Sequence, residues 1–273
     1  MTLEGSGVRV DVRPVSSLLP HEETMPAHVA RIASEIKKEG IQRDPVIVDA
    51  ETGAVLDGMH RLAAFLKLGI ENAVCCPVEY GSKTVELHRW ARAYSHGGGG
   101  DVEQSLLDAG VSRRGTLEEA FSSLDARKCG LAAMSSRGVF LPVDRFDLQA
   151  AFSVVRGLDA IGAESGWKRE FFPEDEIDSA LQDEEKVVVL VQRLGKDDVI
   201  VAARSGRLFP CKTSMHTIEP RPVGVNLPVE ALRSMTGSEL RKKLQASGSQ
   251  LLPHGSSYQG RRYKERLLLL NPD

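Results

Sequence analysis

The first part of the chain shows a strand-like pattern followed by a helix-like pattern of apolar side chains. Apolar and polar residues alternate over Val8–Val12, which predicts a strand. Over 26–39 the apolar residues fall on one face of a helix, at Val29, Ile32, Ala33 and Ile36. Proline at the first of these positions suits the first turn of a helix, and Gly40 suits the C-terminal cap. The pattern therefore predicts a strand, a loop at 18–23 and a helix at 26–39.

A hairpin and a second helix are predicted next. The apolar segments Pro45–Val48 and Ala54–Leu56 are joined by a turn-forming sequence, which is typical of a β-hairpin. Residues 62–68 have helical spacing and end at a glycine. Ala73–Glu79 predicts another strand, and we expect it at an edge of the sheet because Pro77 cannot donate to a β-ladder.

The remaining two thirds of the chain are less regular. Thr84–Ala93 is compatible with either a strand or a helix, and the four glycines at 97–100 indicate a mobile connection. Asp101 is a suitable cap for a helix through Leu107. We predict further helices at 117–124 and 144–158, a hairpin at 131–141 and strands at 187–191 and 223–227. Residues 198–203 are ambiguous, since their β-branched side chains favour a strand while their flanking residues resemble helix ends.

Composition narrows the class of protein. A chain of 273 residues accommodates one large domain or two packed domains. The net charge of −3 makes a dedicated nucleic-acid binder improbable, because neutralising phosphates usually requires a basic face. No apolar run is long enough to span a bilayer, and the N-terminus lacks a signal-peptide pattern. Heptads are also absent, so we expect a monomer or a weak dimer.

The four cysteines carry no recognisable metal or redox pattern. Cys75, Cys76, Cys129 and Cys211 form no C-x-x-C pair and have no zinc spacing with histidine. We interpret them as reduced core thiols of a cytoplasmic protein.

The sharpest local feature is the sequence Asp57-Gly58-Met59-His60-Arg61, between a predicted strand and a predicted helix. A helix N-terminus exposes unpaired backbone N–H groups and the positive end of the helix dipole. Glycine there lets the backbone approach a ligand closely. Basic side chains are unfavourable in a first turn unless an anion pairs with them, and phosphate is the natural anion. The alternative is that the aspartate only caps its helix and the arginine is only a surface cation.

The order of these elements resembles a ParB/sulfiredoxin-like domain. In that superfamily the strand-to-helix turn binds nucleotide phosphates. Sulfiredoxins carry a catalytic cysteine immediately before the His-Arg pair, where this chain has Met59. ParB partition proteins continue into a helix-turn-helix domain, for which residues 101–124 are a poor match.

The free L-serine kinase branch of the superfamily resembles the chain more closely. Pro20-His21-Glu22 is similar to the family's P-H-E segment, and Asp57 to Arg61 is similar to its D-G-H-H-R motif. Residues 206–216 resemble its C-terminal G-E-x-F-x-P-K-T-T-R-H segment, with Met215 in place of the arginine. Weaker similarity over most of the rest favours a helix at 197–205. The resemblance implies an α/β (α+β) fold, with a ParB/sulfiredoxin-like nucleotide-binding domain over 1–95 and a mixed α/β domain over 101–273 that contributes the substrate loop.

The same resemblance implies a reaction and a set of site residues. The reaction is phosphoryl transfer from ADP or ATP to free L-serine, with Mg²⁺ held mainly by the phosphates. Glu22 is the expected base, and Asp57 is a second acid that orders the acceptor, contributes to the Mg²⁺ site or only caps its helix. The phosphate-binding residues are Asp57, Gly58, Met59, His60 and Arg61, and the substrate-binding residues are Trp90, Lys212, Thr213 and His216. Arg207 or Arg221 is a candidate to compensate for Met215.

A second reading is a ParB-like nucleotide-dependent DNA-binding or regulatory protein. Such a protein has no reason to carry the segment over 206–216. The sequence leaves open whether ADP or ATP is the donor.

Overall fold

The computed structural model describes residues 8–95, 101–144, 146–246 and 248–270. The connection predicted at 97–100 lies outside these ranges. Up to residue 78 the helices and strands are β1 (Asp11–Pro14), α1 (Pro26–Glu39), β2 (Ile41–Gln42), β3 (Val46–Asp49), β4 (Val55–Asp57), α2 (Met59–Lys67) and β5 (Asn72–Val78). A short 3-10 turn at Val15–Ser17 follows β1.

The middle of the chain adds four helices and six strands within the described residues. They are β6 (Val85–Ser95), α3 (Val102–Asp108), β7 (Val111–Arg113), α4 (Leu117–Asp125), β8 (Leu131–Ser135), β9 (Gly138–Pro142), α5 (Leu148–Ser165), β10 (Lys168–Pro173), α6 (Ile177–Ala180) and β11 (Lys186–Val191). The final part contains α7 (Lys196–Ser205), β12 (Ser214–Ile218), β13 (Arg221–Val223), β14 (Leu227–Pro228), α8 (Val229–Ser234), α9 (Gly237–Ala246), β15 (Gln250–Leu252), β16 (Ser257–Tyr258), β17 (Arg261–Arg262) and β18 (Leu267–Leu269).

The chain divides into two compact units. The first contains the residues up to Glu86, Lys196–Cys211 and the residues from His216 onward, and the second contains Leu87–Gly195 and Lys212–Met215. This division differs from the expected one, in which everything after residue 101 forms the second domain. The physical reason is that Val225, Leu227, Leu232 and Leu240 pack in the same hydrophobic core as the strands and helices of the amino-terminal part.

The first unit is built on a four-stranded sheet in the order β1-β5-β3-β4. The hairpin β3–β4 is antiparallel, as predicted, and β5 pairs with β3 in parallel. Helix α1 has the predicted bounds and ends at Gly40, whose φ of 71° is left-handed. Its Ala33 and Ile36 are buried in one core with Leu62 and Phe65 of α2, so both helices cover this sheet.

The prediction that the fifth strand lies at an edge is wrong. Strand β5 lies between β1 and β3 in the sheet. The register explains how Pro77 is tolerated there. Pairing with β1 ends at Cys75, so Pro77 lies beyond it and has only β3 beside it, at Val48.

The second unit has a sheet and a hydrophobic core of its own. The strands β10, β6, β11, β8, β9 and β7 are neighbours in that order. Residues 85–93 of the segment that the sequence left ambiguous lie in strand β6, and the hairpin predicted at 131–141 is confirmed. Helix α5 starts at Leu148 rather than at 144, because the Asp147 carboxylate caps it by accepting from the Ala150 N–H at 2.8 Å.

Three further expectations are resolved by the carboxyl-terminal part. Residues 196–205 form helix α7, which agrees with the family resemblance. The strand predicted at 223–227 is two shorter strands, β13 and β14. The substrate loop expected within 206–216 is partly wrong, because its last residues belong to strand β12 (Ser214–Ile218). Among the described helices, none combines the length and apolarity needed to cross a bilayer.

Candidate functional site

The corner between β4 and α2 is formed by Gly58. Its φ of 101° lies outside the regions open to most side chains, and it is the N-cap residue of α2 without a side-chain cap. A Cβ at this position would lie 2.9 Å from Arg61 Nη1 and 3.5 Å from Val46 Cα. Gly58 rather than Asp57 therefore occupies the N-cap position of α2.

Asp57 lies beside two guanidinium groups. Arg61 Nη2 is 3.9 Å and Arg221 Nη1 is 3.6 Å from Asp57 Oδ2. Arg61 also donates from Nη1 to the Pro45 carbonyl oxygen. The predicted phosphate ligand Arg61 is thus engaged with protein groups at the corner, and its side chain is one fifth exposed.

His60 has a structural role in addition to the one predicted. Its Nε2 accepts the Met25 N–H at 3.0 Å, and Met25 is the N-cap residue of α1. Because Nε2 is an acceptor here, it cannot also donate to a phosphate in this conformation. The Met59 side chain packs against the core of the first unit, so only its backbone is suited to a ligand at the corner.

Two buried histidines hold strand β4. His21 Nδ1 donates to the Val55 carbonyl oxygen at 2.8 Å, and the His216 ring hydrogen-bonds the Leu56 backbone. The two rings lie edge to face with centroids 5.7 Å apart. Burial lowers the pKa of His21 to about 4, and it lowers the pKa of His216 well below the usual range. Both imidazoles are therefore neutral at pH 7.

Tyr80 completes this histidine cluster. Its hydroxyl is 2.8 Å from His216 Nε2, and burial raises the pKa of the phenol. A protonated phenol donates this hydrogen bond, so His216 Nε2 accepts it and the other ring nitrogen faces Leu56. His216, which the resemblance assigns to the substrate, is thereby held in one orientation and one tautomer.

Glu22 is buried, with 7% of its surface exposed. Its segment pairs with residue 209 as a parallel bridge, in which the Phe209 N–H donates to the His21 carbonyl and the Glu23 N–H donates to the Phe209 carbonyl. A carboxylate at a buried position is unusual for a residue in a loop. Glu22 is therefore not a solvent-exposed surface charge.

The other predicted substrate residues belong to the second unit. Lys212 Nζ lies 4.7 Å from the centroid of the Trp90 ring, a distance suited to a cation–π contact. The Trp90 N–H donates to the Thr213 carbonyl oxygen at 3.4 Å, and Thr213 is buried. Lys212 has a φ of 57°, which an L residue rarely adopts. The structure thus brings these three residues together.

A cavity of about 340 Å³ lies in the first unit, beside α1 and β2. Ile32, Ile36 and Ile41 line it together with the arginines Arg43 and Arg61. This volume is at the lower end of the range of small-molecule pockets, about 300–1,000 Å³.

Sequence reasoning missed one residue of this region, Tyr80, and named another, Arg221, without its place beside Asp57. Tyr80 stands in no motif, and nothing in the sequence signals its bond to His216. Arg221 was only a possible replacement for the arginine missing at 215, and its place beside Asp57 depends on the pairing of β13 with β18.

The chain is similar to L-serine kinases over most of its length. It is 26% identical over 235 residues to an ATP-dependent L-serine kinase of Desulfurococcus mucosus, which covers 80% of this chain and 89% of the relative. It is 21% identical over 226 residues to the ADP-dependent L-serine kinase SerK of Thermococcus kodakarensis, covering 80% and 90%. A ParB-like protein of Sulfolobus acidocaldarius is 33% identical over 75 residues, which covers 28% of this chain and 37% of that protein. No protein-family model matches the chain.

The solved structures agree on the fold. A free serine kinase in complex with AMP superposes with a TM-score of 0.70 and 19% identity, covering 85% of this chain and 96% of that one. The chain is thus similar to free L-serine kinases in both sequence and fold. Another structure of the family, a free serine kinase mutant in complex with ADP, also has a TM-score of 0.70 at 19% identity over the same shares of the two chains. The resemblance and the mixed α/β fold predicted from the sequence are confirmed.

We predict that Gly58→Ala lowers the free energy of unfolding by roughly 1–3 kcal/mol, because alanine is strained at a φ of 101° and its Cβ displaces Arg61. Chemical denaturation measures this. The matched control is Gly69→Ala, whose φ of 63° lies in the left-handed basin and whose Cβ meets nothing within 4 Å. An equal loss in both variants would contradict the close fit at the corner.

We also predict that stability falls on acidification. His21 has a pKa of about 4 when folded against 6.5 ordinarily, so the unfolded chain binds the extra proton between these values. Its contribution, about 3 kcal/mol by the linkage relation, is fully present above pH 6.5 and is lost as the pH falls towards 4. Denaturation at several pH values is expected to show a shallower decline for His21→Asn. The exposed His28→Asn serves as control and retains the steep decline.

Proposed function

We propose that the protein is a free L-serine kinase, which transfers a phosphoryl group from ADP or ATP to the serine hydroxyl and forms O-phospho-L-serine. The observation that carries this proposal is the glycine corner at Asp57–Arg61, in a chain that resembles L-serine kinases over 80% of its length. The ParB-like alternative is supported by similarity over only 28% of the chain.

The donor phosphates are assigned to the corner. The backbone N–H groups of the first turn of α2, with the positive end of its dipole, form an anion site. We assign Arg61 to the phosphates as well, which requires its guanidinium to turn from the Pro45 carbonyl. The cavity of about 340 Å³ on the α1 side of Arg61 is the candidate place for the nucleoside.

The chemistry at the acceptor needs a base and an in-line geometry. The serine oxygen forms a bond to the terminal phosphorus of the donor, and the bond from that phosphorus to the leaving AMP or ADP breaks. We assign Glu22 as the group that takes the hydroxyl proton, because Glu22 is buried, follows His21 of the histidine cluster in the sequence and is bridged to Phe209. Trp90, Lys212, Thr213 and His216 are assigned to the amino acid.

Mg²⁺ is the expected partner of the nucleotide. When bound, it would offset part of the charge of the donor phosphates. Within the described ranges, no three His, Cys, Asp or Glu side chains are grouped for a metal. A carboxylate oxygen suits Mg²⁺, so Asp57 is the protein ligand that fits and the phosphates supply the others. The four free cysteines, of which Cys75, Cys76 and Cys211 are buried, suit the cytoplasm, where we place the protein.

The proposal is tested by incubating the protein with L-serine, Mg²⁺ and either ADP or ATP. Formation of O-phosphoserine, with AMP or ADP as the second product, is expected and identifies the donor. D-Serine serves as the control acceptor. Absence of O-phosphoserine with both donors would refute the kinase, and in that case nucleotide-dependent retention on DNA would support the ParB-like reading.

We predict that Glu22→Gln lowers kcat roughly 10²- to 10⁴-fold, because the amide cannot accept the hydroxyl proton. Nucleotide affinity, measured by calorimetry, is expected to stay unchanged. Glu23→Gln is the matched control, since the same change one residue further along leaves the assigned base in place. Normal turnover in Glu22→Gln would exclude this base assignment.

A further inference from the structure

Arg221 is a buried guanidinium that joins three parts of the first unit. Its side chain is 8% exposed. Nε donates to the Glu265 carboxylate, Nη2 donates to the His216 carbonyl oxygen at 2.6 Å, and Nη1 lies 3.6 Å from Asp57 Oδ2. Two of these three partners, Asp57 and His216, are residues that the proposed function assigns to the site.

The backbone of Arg221 is held by the carboxyl-terminal sheet. Strand β13, which begins at Arg221, pairs in parallel with β18, and the Arg221 N–H donates to the Arg266 carbonyl at 2.9 Å. All three residues of β13 are buried. The guanidinium therefore projects from a fixed strand, whereas Arg61 belongs to the first turn of the helix at the corner.

The charges explain why an arginine is stable at this buried position. Burial lowers the pKa of the guanidinium, but the carboxylates of Asp57 and Glu265 outweigh that effect, so that the pKa of Arg221 is raised overall. The planar guanidinium has several N–H donors and reaches three partners at once. A lysine ammonium on a flexible side chain does not reproduce this geometry.

The two arginines beside Asp57 differ in their exposure and in their surroundings. Arg61 is more exposed than Arg221, with 20% against 8% of the side chain accessible, and it lines the cavity assigned to the nucleoside. If Arg61 turns to the donor phosphates, Asp57 loses that neighbouring cation. Arg221 then remains as the cation that balances the charge of Asp57.

We propose that Arg221 is a positioning residue for phosphoryl transfer: it holds the Asp57 carboxylate and the backbone of His216 in place while Arg61 binds phosphate. This inference rests on the proposed function. The position of Arg221 beside Asp57 also shows where the proposed site has a second arginine, although residue 215 is methionine.

The test compares Arg221→Lys with the wild type. The variant is expected to fold, as measured by circular dichroism and melting, and to lose roughly 10- to 100-fold in kcat, because a small displacement of an assisting group costs that much. The dissociation constant for the nucleotide is expected to stay within the error of the wild-type value. The control is Arg266→Lys, which changes a partly exposed ion pair with Glu219 and is expected to leave kcat unchanged.

A double-mutant cycle separates positioning from mere stabilisation. If Arg221 acts through Asp57, Arg221→Lys adds little to the loss in kcat already caused by Asp57→Asn. Multiplicative losses, or an Arg221→Lys variant with reduced stability but normal kcat, would overturn the inference while the kinase proposal stands. If the wild type makes no O-phosphoserine, both fail.

Arg221→Lys leaves Glu265 with a weaker partner, so folding is a separate question. The variant Arg221→Gln/Glu265→Gln removes both charges and leaves no uncompensated carboxylate in the interior. It is expected to fold and to show the same loss in kcat. If neither Arg221→Lys nor this double variant folds, Arg221 is a structural core residue and the inference is wrong.

Discussion

The placement of strand β4 is the constraint on which the candidate site depends. Each of its three residues is held by a side chain from a distant part of the sequence. His21 binds the backbone of Val55, His216 binds the backbone of Leu56, and Arg221 lies beside the carboxylate of Asp57. The strand is followed by Gly58, whose dihedral angles turn the chain directly into α2, so a displacement of β4 would also displace the N-terminus of the helix.

The interactions with β4 are effective because they are buried. An imidazole that donates one hydrogen bond to a backbone carbonyl and stays neutral satisfies a polar group without placing a charge in the interior. Tyr80 extends this principle, since its hydroxyl satisfies the remaining nitrogen of His216. Arg221 is the exception, and its charge is compensated by two carboxylates. The result is a polar cluster that orders the site at a low cost in desolvation.

The segment over 206–216, which resembles a motif of the L-serine kinases, relates the structure to the proposed phosphoryl transfer. The carboxyl-terminal motif over 206–216 contributes to both compact units, since the chain passes from the first to the second after Cys211 and returns at His216. Within the second unit the motif supplies Lys212 and Thr213, next to Trp90. Within the first unit it supplies His216 and, through Phe209, the bridge to Glu22. One stretch of sequence therefore contains residues that we assign to the substrate and also pairs with the segment of the proposed base, Glu22.

Local sequence determined the elements with strong internal signals, which include helix α1 with its bounding proline and glycine, the β3–β4 hairpin and the corner at Gly58. These depend on side-chain periodicity and on dihedral preferences of neighbouring residues, which the sequence contains. Only the tertiary structure decided that β5 is interior, that the carboxyl-terminal segment shares the first core, and that Arg221 lies beside Asp57. Those facts depend on pairing between residues far apart in the chain, because burial and charge compensation arise only when distant segments meet.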